Sequence, residues 1–291
     1  MIKVWILAAR PKTLVAGIAP VILGTMLAMA DGVVTWWTLP CLLICGSLIQ
    51  IASNFINDLE DFRKGADTHR VGPIRAVTSG LITPQSMRQA SILVVAAAFI
   101  LGQPLVYHAG WPVLGIGTLS LIASWAYTGG PYPLAYRGLG DVFAFVFFGV
   151  IAVVGTYFVH ASIWSLDALL LSIGPGCLAA NILGVNNLRD IPTDAAVGKR
   201  TLAVRIGAQR ARLLYTVLMM LGLTLPSIVL YPGRGPWLFL PLICLPVGIV
   251  SSVLVWRRSG AALNAVLGLT AALYMMYTIT MSLALGLSLL R

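Results

Sequence analysis

Residues 142–159 read Val-Phe-Ala-Phe-Val-Phe-Phe-Gly-Val-Ile-Ala-Val-Val-Gly-Thr-Tyr-Phe-Val, eighteen residues without a charge. A helix needs about 20 mainly apolar residues to cross the hydrocarbon core of a bilayer, so this run predicts a span near 140–159. Working outward, comparable runs bounded by Pro, Gly or charge lie near 13–30, 38–57, 89–108, 112–128, 165–187, 211–231, 236–256 and 262–290. The pattern predicts an all-α integral membrane protein, a bundle of about nine transmembrane helices, in one domain covering 1–291.

Composition agrees. The chain is 59% hydrophobic and only 10% charged, against roughly 25% charged in a soluble domain. No polar stretch is long enough to form a second, soluble domain. The net charge of +10 would point to nucleic acid in a soluble protein. With nine spans and the N-terminus inside, however, 17 of the 19 Lys and Arg fall on one face, and only Arg234 and Arg291 on the other. Basic residues collect in the cytoplasmic loops of membrane proteins. That bias fixes both span count and direction, in a multi-pass protein of the bacterial cytoplasmic membrane type. Membrane lipid is therefore the expected partner, and nucleic acid is not.

Residues 1–9 read as a short interfacial helix leading to Arg10-Pro11-Lys12. Ala28-Met29-Ala30 resembles a signal-cleavage site, but the run before it is longer than a signal core and is interrupted by Pro20, so it is read as a span. Cys41, Cys45, Cys177 and Cys244 sit in apolar runs without the His or Cys neighbours of a metal site, and read as packing residues.

Two polar clusters interrupt this apolar background. The first is Asn54-Phe55-Ile56-Asn57-Asp58-Leu59-Glu60-Asp61, continuing to Lys64-Gly65-Ala66-Asp67. On a helix, Asn54 and Asp58, and likewise Asn57 and Asp61, are four apart and share a face. Gly65 can end the helix and return Asp67 toward that face. The second cluster is Asn186-Asn187-Leu188-Arg189-Asp190-Ile191-Pro192-Thr193-Asp194. Pro192 disfavours helical angles at Ile191, so Asp194 is expected to arrive from a new turn.

Carboxylates near a membrane interior are costly and call for a counter-ion. Hard oxygen ligands without His or Cys favour magnesium, which bridges one or two carboxylates to substrate phosphates. Lys64, Arg70, Arg75, Arg189, Lys199 and Arg200 flank the same two clusters. Acidic groups for a metal beside basic groups for phosphate oxygens describe a Mg2+ diphosphate site. Simple pairing in solvated loops is the competing reading for one cluster, but two such clusters on one face favour the site. A third segment, Tyr127-Thr128-Gly129-Gly130-Pro131-Tyr132-Pro133-Leu134-Ala135-Tyr136, reads on its own as a turn with interfacial tyrosines. Its rings are alternatively suited to facing a cation.

These motifs resemble those of the UbiA-type polyprenyltransferases. The likeness runs from Arg10-Pro11-Lys12-Thr13 to Gly207, and rests mainly on two segments. One runs from Asn57-Asp58 through Asp61, Lys64-Gly65, Asp67, Arg70-Val71-Gly72-Pro73 and Arg75 to Ser79-Gly80-Leu81-Ile82. The other joins Asn186 to Asp194 with Gly198-Lys199-Arg200-Thr201-Leu202-Ala203-Val204. The Gly-Pro-x-Arg and Gly-Lys-Arg-Thr-Leu elements resemble the branch of the family whose acceptor is 1,4-dihydroxy-2-naphthoate, in menaquinone biosynthesis. The chain departs from many members at Leu59, where they carry Tyr, and at Asp141, where they carry Glu.

The resemblance implies a helical bundle around a central cavity open toward lipid, and a transferase whose substrates are a polyprenyl diphosphate and an aromatic acid. It implies that Asn57, Asp58, Asp61, Asp67, Asp190 and Asp194 make up the metal site, with Asp58, Asp61 and Asp190 catalytic. It further implies that Arg70, Arg75, Lys199 and Arg200 grip phosphate oxygens and that Asn54, Asn186 and Asn187 line the substrate site. Arg10 or Lys12 would reach the diphosphate or the acceptor carboxylate, and Tyr127, Tyr132 or Tyr136 the allylic cation. The product is then demethylmenaquinol, formed with loss of diphosphate and CO2. Other readings are a family member acting on hydroxybenzoate or homogentisate, and a secondary transporter of an anionic substrate. A transporter would need a polar path to the outer face, where the sequence supplies little beyond Asp31, Asp167, Arg234 and two histidines.

Overall fold

A computed structural model describes residues 2–66, 72 and 74–290. Among these residues the structure is helical, with no strands. Eight helices are long and apolar enough to cross a membrane: α2 (Pro11–Ala30), α3 (Thr38–Arg63), α4 (Pro84–Ala109), α6 (Gly140–Ala161), α7 (Leu166–Arg189), α9 (Leu202–Arg234), α10 (Pro236–Arg257) and α11 (Gly260–Leu287). The shorter elements are α1 (Ile2–Ala9), α5 (Trp111–Ala126) and α8 (Ile191–Ala196).

α5 completes the expected nine. Its 16 residues span about 24 Å at 1.5 Å per residue, short of the ~30 Å hydrocarbon core. Its two ends are nevertheless joined to α4 and to the end of α3. It starts one residue after α4, across Gly110 at φ 84°, and just beyond its end Thr128 bonds to Asn57 near the end of α3.

Helix boundaries follow local chemistry. Thr83 caps α4, its hydroxyl accepting from the Ser86 amide, and Thr201 caps α9 in the same way through Val204. Each supplies an acceptor for one of the unpaired amides of a first turn. α3 stops at Arg63, and Gly65 follows at φ 65°. α7 stops at Arg189, and α8 starts anew with Pro192 in its first turn, so Asp194 does reach the site from a separate turn. Where a span near 211–231 was expected, helix begins already at Leu202, bent at Gly207, whose φ of 80° is non-helical. The bend separates a short segment carrying Arg205 from the crossing part of α9.

Apolar residues face both lipid and core in such a bundle, so close packing depends on small residues that let backbones approach. Gly17 of α2 and Gly46 of α3 meet in this way: a Cβ on Gly46 would stand 2.6 Å from the Gly17 carbonyl oxygen. The largest core, including Leu23, Leu178, Met219, Tyr274 and Tyr277, joins α2, α7, α9 and α11. At the end of the bundle far from the two acidic clusters, Arg234 pairs with Asp31 at 2.8 Å and Asp167 at 2.6 Å, and Tyr157 donates to Asp31 at 2.8 Å. Four spans, α2, α6, α7 and α9, are thereby tied together at that end.

Candidate active site

A cavity of about 290 Å³ opens among α2 to α7. Its walls are mostly apolar, with Phe99, Val113, Phe147 and Ile151 among the lining residues, while Arg10, Gln50, Asn54, Asn57, Tyr127 and Asn186 form a polar end. Within α6, residues Val146–Ile151 wind as a π-helix, a distortion frequent at functional sites. Phe147, Phe148 and Ile151 of that turn line the cavity, and Phe147 stacks on Phe143 at 4.6 Å between ring centroids.

The carboxylates gather next to that polar end, outside the lining itself. Asp61, 2% exposed, is held from three sides. Arg75 Nη2 donates to Oδ2 at 3.1 Å, the Tyr136 hydroxyl donates to Oδ1 at 2.9 Å, and Lys199 Nζ stands 3.8 Å from Oδ2. The same Lys199 ammonium lies 3.6 Å from Oδ1 of Asp194. One cation therefore joins a carboxylate from the end of α3 to one from α8. Burial pushes the Asp194 carboxyl up to about 6; Lys199 opposes that rise, and the negative charges of Asp190 and Asp61 add to it. Burial likewise lowers the Lys64 ammonium, against the pull of Glu60 and Asp61.

Tyr136 is the hub of this end. Besides its bond to Asp61, its ring lies under two ammonium groups, Lys64 at 4.4 Å and Lys199 at 5.4 Å from the centroid, both within cation–π range. Lys64 also donates to the Thr128 carbonyl, and Thr128 donates to Asn57 Oδ1 at 2.7 Å. The backbone of the Tyr127–Tyr136 segment is thus fastened to α3. It is fastened to the loop before α9 as well, because the Arg200 amide donates to the Tyr136 carbonyl at 3.2 Å.

The remaining residues singled out from sequence take varied positions. Asp58 accepts from the backbone amides of Ala76 at 3.0 Å and Val77 at 3.4 Å, which holds the turn carrying Arg75 against α3. Asn54 donates to the Ala9 carbonyl at 2.9 Å and to Thr13 Oγ1 at 3.1 Å. It fixes the corner where Arg10, at φ 51°, lines the cavity. Asp190 forms a two-pronged pair with the buried Arg189, both contacts 2.7 Å, and Arg189 reaches on to Asn264 at 2.6 Å. Asn187 donates to Asp141 at 3.3 Å. Lys12, Tyr132 and Arg200 are exposed, and Arg137 lies over the Tyr132 ring at 4.7 Å. Asp67 and Arg70 lie outside the described residues.

Two contributors were not legible as site residues: Thr128, which links Asn57 and Lys64, and Asp141, which pairs with Asn187. Asp141 carried a usable signal, since an ionisable residue at the edge of a span is a functional candidate by default. Thr128 carried none beyond its place in the tyrosine segment.

Among the described residues, no three His, Cys, Asp or Glu side chains converge into a metal cage. The donor set is carboxylate oxygen with cations interleaved. It fits Mg2+, which takes one or two carboxylates and completes its octahedron on water and substrate oxygens. Asp61 and Asp194, already sharing one cation, are the carboxylates that could do this.

Known proteins resemble this chain in sequence and in fold. Residues 17–276 match the UbiA prenyltransferase family. A 1,4-dihydroxy-2-naphthoate octaprenyltransferase from Mycobacterium tuberculosis is 36% identical over 245 residues, 84% of this chain and 83% of that protein. One of the same description from Escherichia coli is 36% identical over 264 residues, 88% of this chain and 86% of its own. In fold, a UbiA homologue from Archaeoglobus fulgidus, solved with GPP and Mg2+, superposes with a TM-score of 0.68 at 14% identity, covering 96% of this chain and 99% of that one. The apolar cavity, the paired acidic helix ends and the matched sequence lead to one assignment: this chain belongs to the UbiA prenyltransferase family and is a multi-pass membrane transferase.

Proposed function

We propose that this protein transfers a polyprenyl group from polyprenyl diphosphate to 1,4-dihydroxy-2-naphthoate, releasing diphosphate and CO2 and giving demethylmenaquinol. The observation that carries the reading is Lys199, shared by Asp61 and Asp194 at 3.8 and 3.6 Å beside the polar end of an apolar cavity. A polar diphosphate head with a long hydrocarbon tail matches that division. The acceptor assignment is supported by relatives of that description at 36% identity over most of their length.

Asp61 and Asp194, with Asp190 beside them, would hold Mg2+ against the diphosphate, and Asn57 orients the end of α3 through Thr128. When bound, Mg2+ neutralises the charge that gathers on the diphosphate oxygens as the allylic C–O bond breaks. Arg75 and Lys199 stabilise the same charge from fixed positions. Both already stand against Asp61, and Lys199 against Asp194 as well, so a bound Mg2+ would share with them the neutralising of these two carboxylates. Tyr136 keeps Asp61 aligned through its hydroxyl.

The prenyl carbon becomes cationic as diphosphate leaves. Tyr127, at the polar end of the cavity, offers its ring to that carbon. The apolar wall excludes water, which would otherwise trap the cation as an alcohol. The electron-rich naphthoate ring forms the new C–C bond at the carbon bearing the carboxylate. Loss of that group as CO2 returns its bonding pair to the ring, so no proton need leave that carbon. The basic end of the bundle faces the cytoplasm by the positive-inside bias, so both polar substrates enter from that side while the tail stays in hydrocarbon.

The test is a reaction of purified protein with radiolabelled polyprenyl diphosphate, dihydroxynaphthoate and Mg2+. A prenylated naphthol should form, and EDTA, Asp61→Ala or Asp190→Ala should each abolish it. Normal turnover in both variants would overturn the site assignment, and transfer only to hydroxybenzoate or homogentisate would overturn the acceptor.

A further inference from the structure

Positive charge at the site end of the bundle is compensated very unevenly. After Asp194 the chain contains no Asp or Glu at all. Arg205, Arg210 and Arg212 nevertheless lie on the entry to α9, and Arg257 and Arg258 at the end of α10. Among the described residues none of these five makes an ion pair. Arg212 Nη2 donates to the Arg258 carbonyl at 3.3 Å, which draws the two helix ends together, while Arg212 Nε is buried without a partner. A buried donor on a charged group left in that state is costly, and an anion relieves it.

A second cavity, about 320 Å³, lies between α9 and α10 and is lined by Thr216, Met220, Ile249, Val253, Trp256 and Arg257 among others. Ile249 and Val253 are 53% and 42% exposed, so this wall is continuous with the lipid-facing surface. Trp256 Nε1 donates to Thr216 Oγ1 at 3.2 Å, which pins the indole across the groove one residue before Arg257. An indole at that depth belongs at the headgroup boundary. None of these residues lines the central cavity.

We propose that this groove binds one anionic phospholipid. Its phosphate sits among Arg212, Arg257 and Arg258, and one acyl chain lies along Met220, Ile249 and Val253. Among the described residues no carboxylate pairs with these arginines, which favours a net negative headgroup over a zwitterionic one. The apolar wall selects a lipid over a soluble anion, which would leave that wall uncovered.

The experiment is native mass spectrometry of the full-length protein in detergent, titrated with phosphatidylglycerol or phosphatidylcholine. The expected result is one phosphatidylglycerol bound about tenfold or more tightly than phosphatidylcholine, given the attraction of each basic residue near an anionic surface. Arg257→Gln with Arg258→Gln should erase that preference. Lys3→Gln with Arg88→Gln, which removes the same charge from exposed positions elsewhere at this end, should keep it. Glycerol 3-phosphate at matched concentration should not displace the lipid. Equal binding of the two lipids by the unmodified protein, equal loss in both double variants, or displacement by glycerol 3-phosphate would each overturn the proposal.

Discussion

Replacing Lys199 by Met removes the cation that Asp61 and Asp194 share, and the structure gives the consequence a size and a pH signature. At 3.6–3.8 Å a pair of unit charges is worth about 4 kcal/mol before desolvation, for an effective dielectric near 20. Asp61 keeps Arg75 and Tyr136, so its share of the loss is modest. Among the described residues Asp194 has no such second cation, and its carboxyl already stands at about 6. Losing an adjacent charge raises a carboxyl by about 1–3 units, so in the variant Asp194 titrates near or above neutrality.

The sign follows from linkage. A carboxyl raised in the folded state favours folding below its unfolded value, and that advantage is lost as pH rises through the folded value. Below about pH 6 Asp194 is protonated in both proteins and adds no difference. Between pH 6 and the variant's higher value the stability gap widens by about 1.4 kcal/mol per unit. Thermal unfolding in detergent with EDTA, from pH 5.5 to 8.5, should show the variant's deficit growing toward alkaline pH. Adding Mg2+ at pH 8 should stabilise the variant more than the parent, since the metal no longer competes with an ammonium. A deficit constant across that range, with equal Mg2+ responses, would refute the account of Lys199 as the stand-in counter-ion.

Other substitutions probe separate parts of the site. Tyr136→Phe keeps the ring under Lys64 and Lys199 but loses the hydrogen bond to Asp61, and should lower kcat/KM by roughly 10-fold, since a hydrogen bond to a charged group is worth about 1.5–3 kcal/mol; steady-state kinetics with varied Mg2+ would read it. Gly117 lines the cavity with open space where a Cβ would stand. Gly117→Phe should cut turnover of long polyprenyl donors about tenfold more than that of geranyl diphosphate, by a competition assay with mixed donors, because the added ring blocks the apolar volume. Gly46→Val should sharply reduce folded protein on size-exclusion chromatography, since even its Cβ falls 2.6 Å from the Gly17 carbonyl oxygen.

Much of this protein is written locally. Whether eighteen residues favour lipid over water is a sum over their own side chains, so the spans and their count near nine could be read from runs such as 142–159 without knowing any contact. The end of α3 at Gly65, the break at Pro192 and the crowding of Asn and Asp at two helix ends are equally local, and so is the motif likeness to one family. α5 alone fell short of full span length, and the extension of α9 back to Leu202 hid behind the bend at Gly207.

What tertiary structure decided is which of those polar groups face one another. Helical spacing places Asn54, Asp58 and Asp61 close in angle but does not say what stands opposite each. In the fold Asn54 meets the α1–α2 corner, Asp58 meets the backbone of Ala76 and Val77, and Asp61 meets Arg75, Tyr136 and Lys199. In water an apolar stripe would have announced the inward side of each helix. A membrane helix is apolar toward lipid and core alike, so the rotation of each span, and with it the meeting of Asp61 and Asp194 across Lys199, is set only by packing with its neighbours.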